Sequence, residues 1–209
     1  MLRNSSPDIP APKRRGRPSA GGREAILAAA LELLRERGIA RVTSREVAAL
    51  AGVSEASVFY HYKDRAGLLQ AVFEDGLRPL QELAEEGALA GTGLHEVLTT
   101  YGATLEEFLS QALPIFAAAQ SDVALRDVLS EYISEHNLGP HRGVRALGDY
   151  LAGEQTAGRV RGGVDPYAAA MLFVGACNTR AAQRQTPARV SDLPPLEDVV
   201  QAMEALLRP

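Results

Sequence analysis

Apolar side chains recur at three- and four-residue spacing along most of this chain, and strict alternation is nearly absent. Ile26, Leu27, Ala30, Leu31, Leu33 and Leu34 mark a first amphipathic helix from Arg23, which Gly38 ends. Thr43-Ser44-Arg45-Glu46 reads as a capping box. In it the Thr43 hydroxyl accepts from the third backbone N–H while Glu46 reaches back to the cap. The helix it opens, with Val47, Ala48 and Leu50, is short because Gly52 follows. Ser54 caps a second short helix containing Val58, Phe59 and Tyr62, and Asp64 a longer one through Leu68, Leu69, Val72 and Phe73. After the Gly91-Thr92-Gly93 break the pattern predicts a helix from Leu94 to about Ala112, with Pro114 opening another over 115–120. Further helices are expected at 122–136, 141–157, 166–184 and 195–207, separated by Leu138-Gly139-Pro140, Gly162-Gly163 and Pro194-Pro195. The expected class is all-α, with about nine helices and no internal repeat.

Charge divides this helical chain. The 209 residues carry a net charge of −4, but residues 1–75 hold 12 basic and 9 acidic side chains, and residues 76–209 hold 10 and 17. Residues 1–22, with four prolines, three glycines, three serines and the run Lys13-Arg14-Arg15-Gly16-Arg17-Pro18, cannot build a core and read as a flexible basic arm. At 46% hydrophobic and 23% charged, the remainder is an ordinary globular composition. The single cysteine, Cys177, excludes an intrachain disulfide and a cysteine-clustered metal site, and fits a reducing cytoplasm. The first residues lack the apolar region of a signal peptide. The apolar run from Tyr167 to Cys177 falls short of the ~20 residues a membrane span needs.

The functional signal lies between Thr43 and Lys63. Two short helices joined by Ala51-Gly52-Val53-Ser54 form a helix-turn-helix: glycine makes the sharp turn, Val53 plugs the space between the helices and Ser54 starts the second. Such a pair sets its second helix into the DNA major groove while the first braces on the backbone. The same turn also occurs in ordinary helical hairpins, so a helical protein–protein adaptor is the alternative.

Residues 23–73 resemble the TetR family of transcriptional regulators. The likeness runs through the first helix, Thr43-Ser44-Arg45-Glu46-Val47-Ala48, Ala51-Gly52-Val53-Ser54, Phe59-Tyr60-His61-Tyr62-Lys63 and Leu68-Leu69. It implies a small three-helix DNA-binding domain at 23–75 and a larger helical effector-binding and dimerisation domain at 76–209. By the same resemblance Thr43 and Ser44 hold phosphate at a helix N-terminus, and Arg45 reaches a phosphate or a base edge. Glu55, Ala56 and Ser57 face the bases, Tyr60 and His61 lie against the backbone, and Lys63 clamps a phosphate. Val58 and Tyr62 point into the head's core. Two positions depart from the family pattern: Phe59 stands where a phosphate-binding tyrosine is usual, and Tyr62, where phenylalanine is common, carries a hydroxyl that needs a partner. Gly67 replaces a usual helix-favouring acidic residue.

The second helix of the pair contains neither arginine nor lysine, so guanine can be read only by Arg45 or the arm. Arg15-Gly16-Arg17-Pro18 looks like the core of an AT-hook, whose arginines, here Arg15 and Arg17, would enter a narrow minor groove. The plainer reading is a basic tail adding electrostatic attraction. In the acidic half, Tyr101, Phe108, Phe116, Tyr132, Met171 and Phe173, with Asn178 and His136 as polar handles, could line an effector cavity or simply pack a core. Small residues at 168–170, 175–176 and 181–182, with Val199, Val200, Met203, Leu206 and Leu207, suggest that the last two helices pair with a second copy. No GxSxG, HExxH, GxxxxGKS or GxGxxG pattern is present, and no enzyme activity, metal or cofactor is expected. The expectation is a cytoplasmic, homodimeric, effector-responsive regulator, a repressor on a palindromic DNA operator, with the effector unidentified.

Overall fold

The computed structural model describes residues 20–85, 89, 91–186 and 193–209. Within them the chain forms nine α-helices and no strand: α1 Ala20–Arg37, α2 Ser44–Ala51, α3 Glu55–Tyr62, α4 Arg65–Leu83, α5 Leu94–Ala119, α6 Val123–Glu135, α7 Pro140–Thr156, α8 Pro166–Arg184 and α9 Leu196–Leu207. A 3-10 turn, Ile39–Arg41, links α1 to α2. The caps fall where short polar side chains precede apolar-periodic runs. Thr43, Ser54, Asp64 and Asp122 each accept from the backbone N–H three residues on.

Three features depart from the expected pattern. Helix α1 begins at Ala20, before Arg23. The expected break at Pro114 is absent, and α5 runs through it. Proline removes the N–H that would bond the Ser110 carbonyl, and that oxygen accepts instead from Nε2 of Gln185, the residue that caps the end of α8, at 3.3 Å. The third concerns α4, which continues past residue 75 to Leu83, so the head and the larger domain share one helix.

The cores show the same continuity. The first is built from α1–α4 (Ile26, Leu33, Val47, Val58, Leu68, Leu69) but also takes Ala112 and Ile115 from α5 and Leu125 and Leu129 from α6. The second joins Leu98, Tyr101, Leu147, Leu151, Phe173 and Leu207, from α5 and α7–α9, and Phe108 packs against both. Arg65 ties the two parts together beyond packing. Its Nε donates to the Val42 carbonyl at 2.9 Å, Nη2 to Ile39 at 3.0 Å, and Nη1 meets Asp122 Oδ2 at 3.3 Å. The loop before the helix-turn-helix is thereby fastened to the start of α6.

Candidate nucleic-acid interface and effector cavity

The turn between α2 and α3 follows from its residues. Gly52 sits at φ 68°, ψ 27°, a left-handed conformation that glycine takes without strain. Val53 N–H returns to the Ala48 carbonyl at 3.0 Å, and Ser54 Oγ accepts from Ser57 N–H at 3.2 Å. Val58 and Tyr62 are buried, fixing the inner face of α3. The Tyr62 hydroxyl donates to the Arg23 carbonyl at 2.9 Å, which satisfies its extra polar group and seats α3 on α1. Burial raises its pKa, opposed by the nearby Arg23 guanidinium.

The outer face of α3 exposes Glu55, Ala56, Phe59 and Tyr60, while Ser57 and His61 are half-buried. Tyr60 is 72% exposed and Phe59 47%. Arg45 and Lys63 flank this face and are exposed. Several expected contact residues are already engaged with one another. The Thr43 hydroxyl accepts from Glu46 N–H at 3.2 Å and donates to Glu46 Oε2 at 3.3 Å. Glu46 thus reaches the cap's hydroxyl; the Thr43 backbone N–H bonds the Arg41 carbonyl at 2.9 Å. Ser44 Oγ donates to the Glu55 carboxylate, pinning the start of α2 to the start of α3. A phosphate reaching Ser44 must displace that carboxylate. His61 leans edge-on against Tyr60 with centroids 5.1 Å apart, and its Nε2 is buried without a hydrogen bond among the described residues. Arg15 and Arg17 lie outside the described residues.

Lys63 carries strain. At φ 62°, ψ −54° it centres a γ-turn closed by the Asp64 N–H on the Tyr62 carbonyl at 2.6 Å, a backbone that side-chain-bearing residues rarely adopt. Lys63→Gly is therefore expected to raise the unfolding free energy by about 1 kcal/mol, since relief of strain exceeds glycine's entropic cost. The same variant loses the exposed cation, so gel-shift affinity for DNA should fall while urea denaturation shows a gain.

Beyond the head, a cavity of about 380 Å³ opens between α4, α5, α6, α7 and α8, within the size range of small-molecule sites. Tyr101, Phe108, Phe116, Met171 and Asn178 line it. Tyr132, His136 and Phe173 do not. Phe173 is fully buried in the second core. Tyr132 turns to a polar groove with Arg23 and Glu74, and the exposed His136 stacks on it at 4.3 Å. The Tyr101 hydroxyl donates to the Gly143 carbonyl at 2.9 Å. Burial, with Cys177 nearby, pushes its pKa up to about 12, so it remains a protonated donor at neutral pH. Phe73 roofs the cavity and makes edge-on contacts with Phe108 at 5.4 Å and Phe116 at 5.5 Å.

Residues 26–72 match the family described as bacterial regulatory proteins, tetR family. This segment belongs to the TetR family. BepR of Brucella suis biovar 1 (strain 1330), an HTH-type transcriptional repressor, is 28% identical over 122 residues, 56% of this chain and 54% of that one. The chain thus aligns with about half the length of this curated relative. A solved structure described as the molecular basis for control of antibiotic production by bacterial hormones is 26% identical, covering 92% of this chain and 100% of that one at TM-score 0.61. SmeT, the repressor of the Stenotrophomonas maltophilia multidrug efflux pump SmeDEF, shares the fold at TM-score 0.58, with 23% identity over 90% of each chain.

Three groups in this chain are not legible in the sequence alone. Phe59 stands where a phosphate-binding tyrosine is usual, and its exposed apolar ring lies one turn from Ala56 on the outer face. Arg65 carries no local signal, because its partners lie 23, 26 and 57 residues away. The cavity wall from α4 and α7, including Leu77, Gln81 and Arg142, becomes apparent only once the helices are packed. No helix among the described residues is long and apolar enough to cross a membrane, and none of their His, Cys, Asp or Glu side chains group as a metal site.

Proposed function

We propose that this protein is a cytoplasmic homodimeric repressor that binds a palindromic DNA operator and leaves it when a small molecule fills the cavity. The head, residues 23–75, reads DNA through Arg45, Glu55, Ala56 and Ser57, with Thr43, Ser44, Tyr60, His61 and Lys63 on the backbone, and residues 1–22 add a basic arm. Residues 76–209 bind the effector and the second copy.

One observation carries this reading: the helix that begins directly after α3 also supplies a wall of the cavity, from Phe73 to Gln81. A molecule pressing on Phe73 and Leu77 acts on the same helix whose first residue, Arg65, holds the loop before α2. Whatever binds better when the two heads are wrongly spaced then lowers operator occupancy by its differential affinity. The dimer surface is argued from α8 and α9. Met171, Leu172 and Leu206 are 60%, 64% and 58% exposed, beside exposed Ala168, Gly175, Ala182, Ala202 and Ala205. Val200, Met203 and Leu207 are buried in their own chain's core, so they brace this surface from behind.

The test is a gel shift on the DNA flanking the coding region. Tyr60→Ala and Lys63→Ala are expected to weaken binding across salt concentrations, the latter reducing the salt slope by about 1. Removal of residues 1–22 should weaken binding and flatten the slope further. Binding untouched by both side-chain changes overturns the interface and leaves the adaptor reading.

A further inference from the structure

We propose that the cavity selects apolar monoanions, carboxylates foremost, over neutral or cationic molecules of the same shape. The inference rests on the effector reading of the cavity and narrows its ligand class.

The lining is overwhelmingly apolar, with Leu77, Leu80, Leu105, Phe108, Leu109 and Val174 forming much of the walls. Among the described residues no aspartate or glutamate lines it, and Arg142 is the one charged residue that does. Several arginines of the same domain are matched to carboxylates, whereas Arg145, Arg161 and Arg208, on no wall of this cavity, form no ion pair among the described residues. Arg159 meets Glu154 at 2.6 Å, and Arg180 and Arg184 share the buried Glu106, each at 2.5 Å. Arg142 is not so matched. Its one side-chain hydrogen bond among the described residues is from Nη1 to the His136 carbonyl at 3.5 Å, the outer limit of such a contact. It stands in the first turn of α7, which holds no acidic side chain. Two further polar groups face the cavity, the amides of Gln81 and Asn178, and neither makes a side-chain hydrogen bond among the described residues.

These features favour one charge type. A cation entering the cavity leaves water for apolar walls and a guanidinium, with no carboxylate to offset the loss. A neutral molecule gains the apolar contacts alone. A carboxylate gains the same contacts and can accept two parallel N–H bonds from the planar guanidinium fork. The Tyr101 hydroxyl is already committed as a donor to Gly143, so it is not the anion's main partner.

The experiment uses the full-length protein and calorimetric titration with decanoate, 1-decanol and decyltrimethylammonium, each below its self-association concentration. Decanoate is expected to bind at least tenfold more tightly than 1-decanol, and the ammonium not to saturate. Arg142 is exposed, so its variants should fold, as circular dichroism will show. Arg142→Gln should bring decanoate to the level of 1-decanol, and Arg142→Glu should turn the preference toward the ammonium. Equal binding of all three, tighter binding of the ammonium, no binding of any, or a preference unmoved by Arg142→Glu overturns the proposal. A gel shift with decanoate separates the two levels. Selective binding without operator release supports the ligand class while refuting the regulator reading.

Discussion

Arg65→Ala is expected to lower the unfolding free energy by about 3 kcal/mol and to weaken operator binding at least tenfold. Its guanidinium holds two backbone carbonyls, Val42 and Ile39, and the Asp122 carboxylate, at 2.9, 3.0 and 3.3 Å. Hydrogen bonds from a charged donor contribute about 1.5–3 kcal/mol each, and partial exposure of this side chain brings the sum down. Lysine should recover less than half, because three donors pointing three ways need the planar fork. Asp122→Asn separates stability from coupling. Asparagine still caps α6 by accepting from Leu125 N–H, as Asp122 does at 3.1 Å, but the ion pair to Arg65 is lost. Its urea midpoint should move little, while the effector concentration that releases the operator changes. Urea denaturation and effector-titrated gel shifts on both variants check this. If Asp122→Asn leaves the effector response unmoved, the contact between α4 and the start of α6 does not transmit it.

The features legible in the sequence are those whose causes are local. Thr43, Ser54, Asp64 and Asp122 lie three residues before the N–H they accept, so each helix start shows in a four-residue window. The Gly52 turn and the inward Val58 and Tyr62 are legible for the same reason. Pro114 misleads because its remedy is distant: the carbonyl it strands is taken by Gln185, 75 residues on. The cavity is half legible. Tyr101, Phe108 and Phe116 share α5 and one broad face, whereas Tyr132 on α6 faces another groove, with His136 at the helix end stacked on it. Spacing places aromatics on a helix, but only packing decides which neighbour each face meets. The pairing of Ser44 with Glu55 is hidden likewise, since two expected DNA contacts 11 residues apart satisfy one another only once α2 and α3 are packed.

Gly67→Ala is expected to destabilise the protein by more than about 3 kcal/mol, the reverse of the usual gain of about 1 kcal/mol when a helical glycine becomes alanine. A Cβ at this position would lie well inside van der Waals contact with the Tyr62 carbonyl oxygen and 3.5 Å from its carbon. That obstacle is backbone and cannot rotate away. The carbonyl is held there by the γ-turn at Lys63, whose Asp64 N–H bonds it at 2.6 Å, while Asp64 Oδ1 accepts from Gly67 N–H at 2.8 Å. The acidic side chain usual for the family at this position has no room here, and the strained turn and the glycine require each other. Forcing them apart moves Tyr62, whose hydroxyl seats α3 on Arg23, so DNA affinity should fall further than the loss of folded protein explains. Adding Lys63→Gly to Gly67→Ala lets the turn relax and should restore part of the stability but not the lost phosphate contact. Thermal and urea unfolding of the two single variants and the double variant test this coupling. Simple additivity, or a stabilised Gly67→Ala protein, would show that the turn does not force the close approach.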